Sequence, residues 1–258
     1  MEILVCVKRV PTVGGAITLT ADQRAVDTTA SGFTISPHEE CAVEEAVRLT
    51  ERFGGSVTVA SLGPAAAEEQ LRACLALGAS AAVLIETPDG TETGPIATAA
   101  ALHAVAADRD FDLVLLGNEA SDTGDYQVGI RLAHLLGLPA ATGIKALTVS
   151  DDGSSLAARR TYRGSEETFT LPLPALVTVK EGINLPRYPS LPGRLRAKRA
   201  VITRVPGPGA APAEGAADVR MSRLRVPDAP RKQATVLGHG PGAVPALVTV
   251  LTELGVLG

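Results

Sequence analysis

Residues 111–139 read FDLVLLGNEASDTGDYQVGIRLAHLLGLP. Leu113–Leu116 is a short apolar run, and Gly117 follows it at once. From Val128 to Leu136 the apolar residues recur at helical spacing, and Gly137 closes the pattern. An apolar run, a glycine-opened loop and an amphipathic helix make one βα unit, and helical crossovers between strands mean a parallel sheet. Upstream the pattern repeats. Ile3–Val7, Val57–Leu62 and Ala82–Glu86 read as strands. Helices are expected over 37–53, over 65–77 and from Pro95 to about 108. Ser36-Pro37-His38-Glu39 opens the first of these: Ser36 caps, Pro37 suits the first turn, and Glu39 completes a capping box. The polar stretch 12–35 reads as an excursion or hairpin. The fold expected is α/β, a three-layer sandwich around a mostly parallel central sheet.

After Pro139 the pattern changes. The short β-prone runs 144–150, 155–163, 166–171 and 175–180 are separated by turn residues such as Asp151-Asp152-Gly153 and Arg163-Gly164. They read as antiparallel hairpins extending the same sheet. Residues 183–204 read as extended, and from Arg187 to Arg204 there are six positive side chains and no acid. The domain organisation expected is a nucleotide-binding α/β domain with its β extension over 1–204, a linker over 205–217, and an arm over 218–258. The linker contains PGPGAAPAEGAA, which has nothing to bury. The arm carries one clear helix, from about Pro241 to Leu254.

Composition sets the outer limits. In 258 residues, 45% are apolar but only 3% are aromatic, so the core is built from Ala, Val and Leu. A net charge of −4 gives no reason to expect nucleic acid. No apolar stretch reaches the roughly 18 residues of a membrane span, so membrane insertion is not expected. MEILVCVKRV reads as a core strand and not as a signal peptide. Cys6, Cys41 and Cys74 fit no metal or redox spacing and read as reduced core thiols of a cytoplasmic protein.

Open parallel sheets bind ligands outside the carboxyl ends of their strands. Val5–Val10, Ser36–Glu39, Ser61–Pro64 and Gly117–Gly129 all reach that edge. The loop 117–129 contains no Lys or Arg and three acids, Glu119, Asp122 and Asp125. Unpaired N–H groups at the following helix start hold a phosphate without a cation. The acids disfavour a triphosphate, so a monophosphate fits better; a solvated acidic turn is the alternative. Gly238-His239-Gly240-Pro241-Gly242-Ala243 looks like a dinucleotide fingerprint, but too little chain follows to complete the unit. It reads as the turn that opens the last helix. No GxxxxGK[ST], GxSxG or HExxH is present. No nucleophile, base and orienter assemble, which favours a binding or carrier role over an enzyme with its own catalytic residues.

These pieces, in order along nearly the whole chain, resemble the β subunit of electron transfer flavoprotein. The resemblance is carried by LVCVKRVP, SPHEECAVEEAVRL, VASLGPAAAEEQLRACLALGA, FDLVLLGNEA with the later QVG and GLP, LPLPALVTV, INLPRYPSLPGRLRAKR and VPDAPRKQA. It implies an adenine-nucleotide α-hydrolase-like fold and a heterodimer with an α subunit. The α subunit would hold most of one FAD, which carries electrons from acyl-CoA and related dehydrogenases to a quinone reductase, as in fatty acid oxidation. It implies structural AMP in the β chain. The residues matched to that pocket are Cys6, Ser36, Pro37, His38, Glu39, Leu62, Gly117, Asn118, Glu119, Ala120, Ser121, Asp122, Thr123, Gly124, Asp125, Tyr126, Gln127 and Val128.

The same resemblance makes Leu191 the anchor that enters an apolar pocket on the dehydrogenase, with Arg194, Arg196, Lys198 and Arg199 around it. Residues 218–258 would reach the α subunit. Bifurcating members of the family place a second FAD in the AMP pocket and share only Gln127-Val128-Gly129 of this loop's later half. Ser36 stands where the family commonly has Asn, and Tyr126 where it has a small residue. Thr161 and Val13 match positions that carry a Glu and an aromatic beside the flavin in better-known members, so with Tyr162 they would form one wall of the flavin site. A stand-alone ATP-binding protein of the same superfamily, such as a universal stress protein, is the other class left open. It would need a Gly-rich phosphate loop, which is missing here.

Overall fold

The structure is a computed structural model. It describes all residues except 13, 15, 16, 92, 108, 208–218, 220, 228–233 and 258. In chain order the first half contains β1 (Glu2–Cys6), β2 (Val10–Pro11), β3 (Phe33–Thr34), α1 (Pro37–Phe53), β4 (Ser56–Gly63), α2 (Glu68–Leu77), β5 (Ala81–Glu86), α3 (Pro95–Ala106), β6 (Leu113–Gly117) and α4 (Val128–Leu136). The second half contains β7 (Ala140–Ile144), β8 (Ala146–Val149), β9 (Ser155–Tyr162), β10 (Ser165–Pro172), β11 (Ala175–Val179), α5 (Leu191–Arg199), β12 (Thr203–Pro206) and α6 (Val244–Glu253). The chain divides into two compact units, Met1–Arg223 and Leu224–Gly258.

Seven strands form the central sheet in the order β12-β5-β4-β1-β6-β11-β7. Every neighbouring pair in it is parallel. Successive side chains of a strand point to opposite faces. Ile3 and Val5 of β1, with Leu113 and Leu115 of β6, face one core. Leu4 and Cys6, with Val114 and Leu116, face the other. Cys41, Ala42, Val43 and Ala46 of α1 cover the first face, joined by Leu71 and Leu75 of α2 and Ala197 of α5. Ala99 and Leu102 of α3 and Leu132 and Ala133 of α4 cover the second. The three layers follow from strands that are apolar on both sides, as a parallel sheet requires. Each fully buried Leu, Ile or Val contributes about 1.5–3 kcal/mol relative to exposure, which offsets the scarcity of aromatics.

α1 starts where its sequence predicts, with the Glu39 half of the capping box formed, but the Ser36 hydroxyl does not cap: its Oγ is buried without a hydrogen-bond partner, and the Glu39 N–H donates to the Ser36 carbonyl at 2.9 Å. Ser36 is extended (φ −71°, ψ 152°), Pro37 lies in the first turn, and Glu39 reaches back to the Ser36 N–H at 3.3 Å. Gly54, at φ +74°, ends it.

Two expectations change. Residues 144–180 do not extend the main sheet as hairpins. β8, β9 and β10 form their own three-stranded antiparallel sheet. β11 instead inserts in parallel between β6 and β7. Its five residues are all buried, the pattern of an interior parallel strand. The second change is in 183–204, which is not extended throughout. Ser190 accepts the Gly193 N–H at 3.2 Å and Pro192 sits in the first turn, so α5 forms over Leu191–Arg199. Most of the expected linker, the helix end near 108 and part of the arm's first residues lie outside the described residues. Among the described residues no helix is long and apolar enough to cross a membrane.

Candidate functional site

From β1 the chain moves to β4 and β5 on one side, then returns to β6 on the other. The sheet order therefore reverses between β1 and β6, and crevices open at the carboxyl ends of such strands. Val7 leaves β1 with its N–H on the Ala60 carbonyl at 2.9 Å. The next N–H, of Lys8, donates to Glu39 Oε2 at 3.0 Å. One carboxylate thus ties the exit of β1 to the start of α1. Glu39 is only 6% exposed, and burial pushes its pKa up from 4.5 to about 7 against the pull of these N–H donors. Burial also raises the Cys6 thiol, with Glu39 adding to it. Gly117 ends β6 directly against α1. A Cβ there would stand 2.8 Å from Glu39 Cγ and 3.1 Å from His38 Cβ. Burial lowers the His38 pKa, and Glu119 faces its Nδ1 at 4.0 Å.

The loop after β6 is held from several sides. Asn118 donates its N–H to the Val179 carbonyl at 2.9 Å, and its Oδ1 accepts the Thr178 hydroxyl at 2.9 Å. Gly124 (φ +59°) and Tyr126 (φ +57°) both take the left-handed conformation. The Gly124 N–H closes a turn on Ala120 at 2.9 Å. The Glu119 carboxylate beside the Tyr126 hydroxyl raises its pKa. The loop's acids are not left to themselves: Lys8 Nζ donates to Asp122 Oδ1 at 2.8 Å and to Thr123 Oγ1 at 3.4 Å. No side chain caps α4, because Gln127 Oε1 is taken by Arg131 at 2.7 Å. Gly129 packs the helix start on β11, where a Cβ would lie 2.5 Å from the Thr178 methyl.

A cavity of about 750 Å3, including its mouth, lies among these segments. Cys6, Glu39, Leu62, Gly117, Asn118, Glu119, Ala120, Thr123, Asp125, Tyr126, Gln127 and Val128 line it. Ser36, Pro37, His38, Ser121, Asp122 and Gly124 do not; they build the start of α1 and the turn of the loop. Sequence reasoning missed Lys8, Thr93, Thr98 and Leu102, which also line it. Lys8 was legible: it follows the first strand directly at the carboxyl edge. Thr93 and Thr98 flank Gly94-Pro95, the helix start already visible in the sequence. The cavity combines an uncapped helix start, one lysine, two carboxylates at the loop and an apolar wall from Leu62, Leu102 and Val128. Such a set suits an anion on the helix start and a flat apolar ring on the wall.

On the α1/α2 face, α5 carries exposed apolar residues outward. Leu191 is 71% and Leu195 53% exposed, and Tyr188 just before them is more open still. Arg196 is turned back, with Nη2 on the Leu75 carbonyl at 3.3 Å. Among the described residues, the side chains of Arg194, Lys198 and Arg199 have no ion-pair or hydrogen-bond partner. Tyr162, at the end of β9, is half exposed between Arg160 and Arg163, whose guanidinium carbons lie 5.5 and 5.3 Å from its ring. Thr161 precedes it on β9, whereas Val13 lies outside the described residues.

Comparison with known proteins gives a consistent picture. The family model described as "Electron transfer flavoprotein domain" matches residues 24–209. The chain is 42% identical over 166 residues to the electron transfer flavoprotein subunit beta of Bacillus subtilis (strain 168), a match spanning 64% of each chain, just under two thirds. It is 35% identical over 260 residues to that of Homo sapiens, covering 99% of this chain and 98% of the human one. It is 34% identical over 242 residues to the mitochondrial subunit beta of Oryza sativa subsp. indica, covering 92% and 93%. With the matched model covering most of the chain and a relative aligned from end to end, this electron-transfer protein belongs to the electron transfer flavoprotein β-subunit family.

Proposed function

We propose that this chain is the β subunit of a heterodimeric electron transfer flavoprotein and that it holds AMP as a structural ligand in the cavity between β1, β6, α1 and α4. The observation that carries the nucleotide reading is the cavity itself, placed at the reversal of sheet order and floored by an α4 start that no side chain caps. The N–H groups at α4 would hold the phosphate, with Lys8 close by. Leu62, Leu102 and Val128 would face the base. The two loop carboxylates favour a monophosphate over a more highly charged ligand. AMP does no chemistry in this reading; it fills and stiffens the crevice.

The FAD, held mainly by an α subunit, supplies the electron storage when bound. This chain contributes the docking surface: Leu191 and Leu195 enter an apolar pocket on a dehydrogenase of the acyl-CoA type, and Arg194, Lys198 and Arg199 meet acids at its rim. Electrons then pass to a quinone reductase or another acceptor. The pattern of exposed apolar anchors in a positive field supports this reading. A cytoplasmic location goes with it.

The test is to denature the purified complex and identify the released nucleotides by mass. One AMP per β chain is expected beside one FAD per complex. Two FAD and no AMP would replace the AMP reading with the bifurcating one, and ATP turned over by the isolated chain would overturn both.

A further inference from the structure

α5 buries little of itself. Gly193 and Ala197 are its only buried residues, while its leucines face out. A nine-residue helix is not stable through its own hydrogen bonds. Apart from Ala197, which packs into the core, what holds it is polar and comes from α1 and α2.

At the carboxyl end, Arg72 of α2 donates through Nη1 to the carbonyls of Ala197 at 2.6 Å, Lys198 at 3.2 Å and Ala200 at 3.2 Å. The last carbonyls of a helix lack N–H partners, and a guanidinium there supplies them and suits the negative end of the dipole. A cation beside Lys198 and Arg199 would be repelled if left bare. Glu68 offsets it, accepting Arg72 Nη2 at 2.6 Å and Nε at 2.9 Å. At the other end, Arg187 donates its backbone N–H at 3.1 Å and its Nε at 2.9 Å to Glu44 Oε2, and grips Glu51 at 2.6 and 2.9 Å. The Glu44 side chain is 3% exposed. Burial works against its charge, yet the bonds from Arg187 and Arg48 outweigh that and hold its pKa below the ordinary carboxylate value. Between the two ends, a Cβ on Gly193 would lie 2.5 Å from the Ala76 carbonyl oxygen, so α5 sits directly on the end of α2.

We propose that Arg72 and the Glu44–Arg187 pair are positioning residues that fix α5 on α1 and α2 in its docking pose, so that Leu191 and Leu195 stand presented before the electron-donor protein arrives. The inference rests on the docking reading above. A recognition element ordered in advance loses less freedom on binding, so its locks act on affinity and not on electron transfer itself. Arg187 and Arg72 spend their donors inward and are not part of the steering charge.

The test uses the complete flavoprotein complex with Arg72→Ala, Arg72→Lys, Glu44→Gln and Leu191→Ala. Amide hydrogen exchange and steady-state reduction by an acyl-CoA dehydrogenase with its acyl-CoA are measured, choosing the dehydrogenase that best reduces the wild-type complex. Arg72→Ala should speed exchange over residues 194–200 about tenfold and raise KM for the complex about tenfold, with kcat, flavin spectrum and nucleotide content unchanged. Arg72→Lys keeps the charge but not the fork, and should recover part of both effects. Glu44→Gln should speed exchange at the Arg187 amide and raise KM in the same way. If Leu191→Ala raises KM while the Arg72 and Glu44 variants keep wild-type exchange and KM, the positioning inference is wrong and the docking reading stands. If Leu191→Ala leaves KM unchanged, the docking reading falls and takes this inference with it. A fall in kcat at unchanged KM in the Arg72 variants would also overturn it.

Discussion

Glu39 joins three segments with one buried carboxyl, and its titration is the clearest handle on the site at the residue scale. The folded carboxyl, near pKa 7, binds its proton more tightly than the unfolded chain, near 4.5. Its contribution is therefore fully present below about pH 4.5 and is lost as pH rises through about 7. The size is on the order of 3 kcal/mol. Glu39→Gln keeps an oxygen for the Lys8 and Ser36 N–H groups, which share Oε2, and removes the titration. Across that window the melting temperature of the wild type relative to the variant should fall as pH rises; His38, whose pKa burial lowers, titrates with the opposite sign in both proteins and drops out of the difference. An unchanged difference would place the titration elsewhere. Two glycines separate space from conformation. Gly117→Ala drives a methyl into Glu39 and His38, and should cost about 1–3 kcal/mol together with nucleotide retention. Gly124→Ala meets nothing closer than 3.8 Å, so only its left-handed backbone is strained, by about 1–2 kcal/mol. Thermal unfolding with nucleotide analysis distinguishes the two. Gly117 and Glu39 were both legible as site residues in the sequence, from the strand end and the capping box. That they touch each other was not, because contact across the sheet edge depends on sheet order and not on spacing.

At the scale of elements, α5 shows how one signature is read in one place and missed in another. Ser36-Pro37 and Ser190 with Pro192 are both helix starts, and in both a serine precedes a proline in the first turn. The first is followed by an amphipathic run, so it reads as a helix. The second is followed by glycine and a dense row of cations, with two further prolines before it, and so reads as an extended arm. Ser190 and Pro192 start the helix locally, but the contacts of α1 and α2 that hold it are stated by no local pattern. β11 is a similar case: its apolar run marks an interior strand, but its place between β6 and β7 is a long-range outcome. Two substitutions on α5 should act differently. Leu191→Ala removes an anchor and should weaken docking about 30-fold, read as KM for the complex in dehydrogenase turnover. Arg199→Ala removes an outward charge, and should lower the association rate and flatten its salt dependence in stopped-flow mixing. Equal effects of both on the dissociation rate would mean that the cation is buried in the interface.

At the scale of the whole molecule, the unit Leu224–Gly258 ends in a helix with none of its residues buried. Val244, Leu247 and Val248 are exposed together, and Leu254 and Val256 continue the apolar surface beyond the helix. A helix of that kind needs a covering surface, and in the proposed heterodimer the α subunit provides it. In that proposed heterodimer the same subunit would provide most of the FAD site, and the pocket of this chain would hold the monophosphate nucleotide. The most direct measurement is to produce the chain alone and together with the α subunit of the same organism, and to record mass in solution and visible spectrum for each. A colourless chain alone and a yellow 1:1 complex, releasing one FAD and one AMP, are the expected result. A chain that is a stable monomer by itself, binds FAD tightly and passes electrons without a partner would contradict its role as the β subunit of a two-chain carrier.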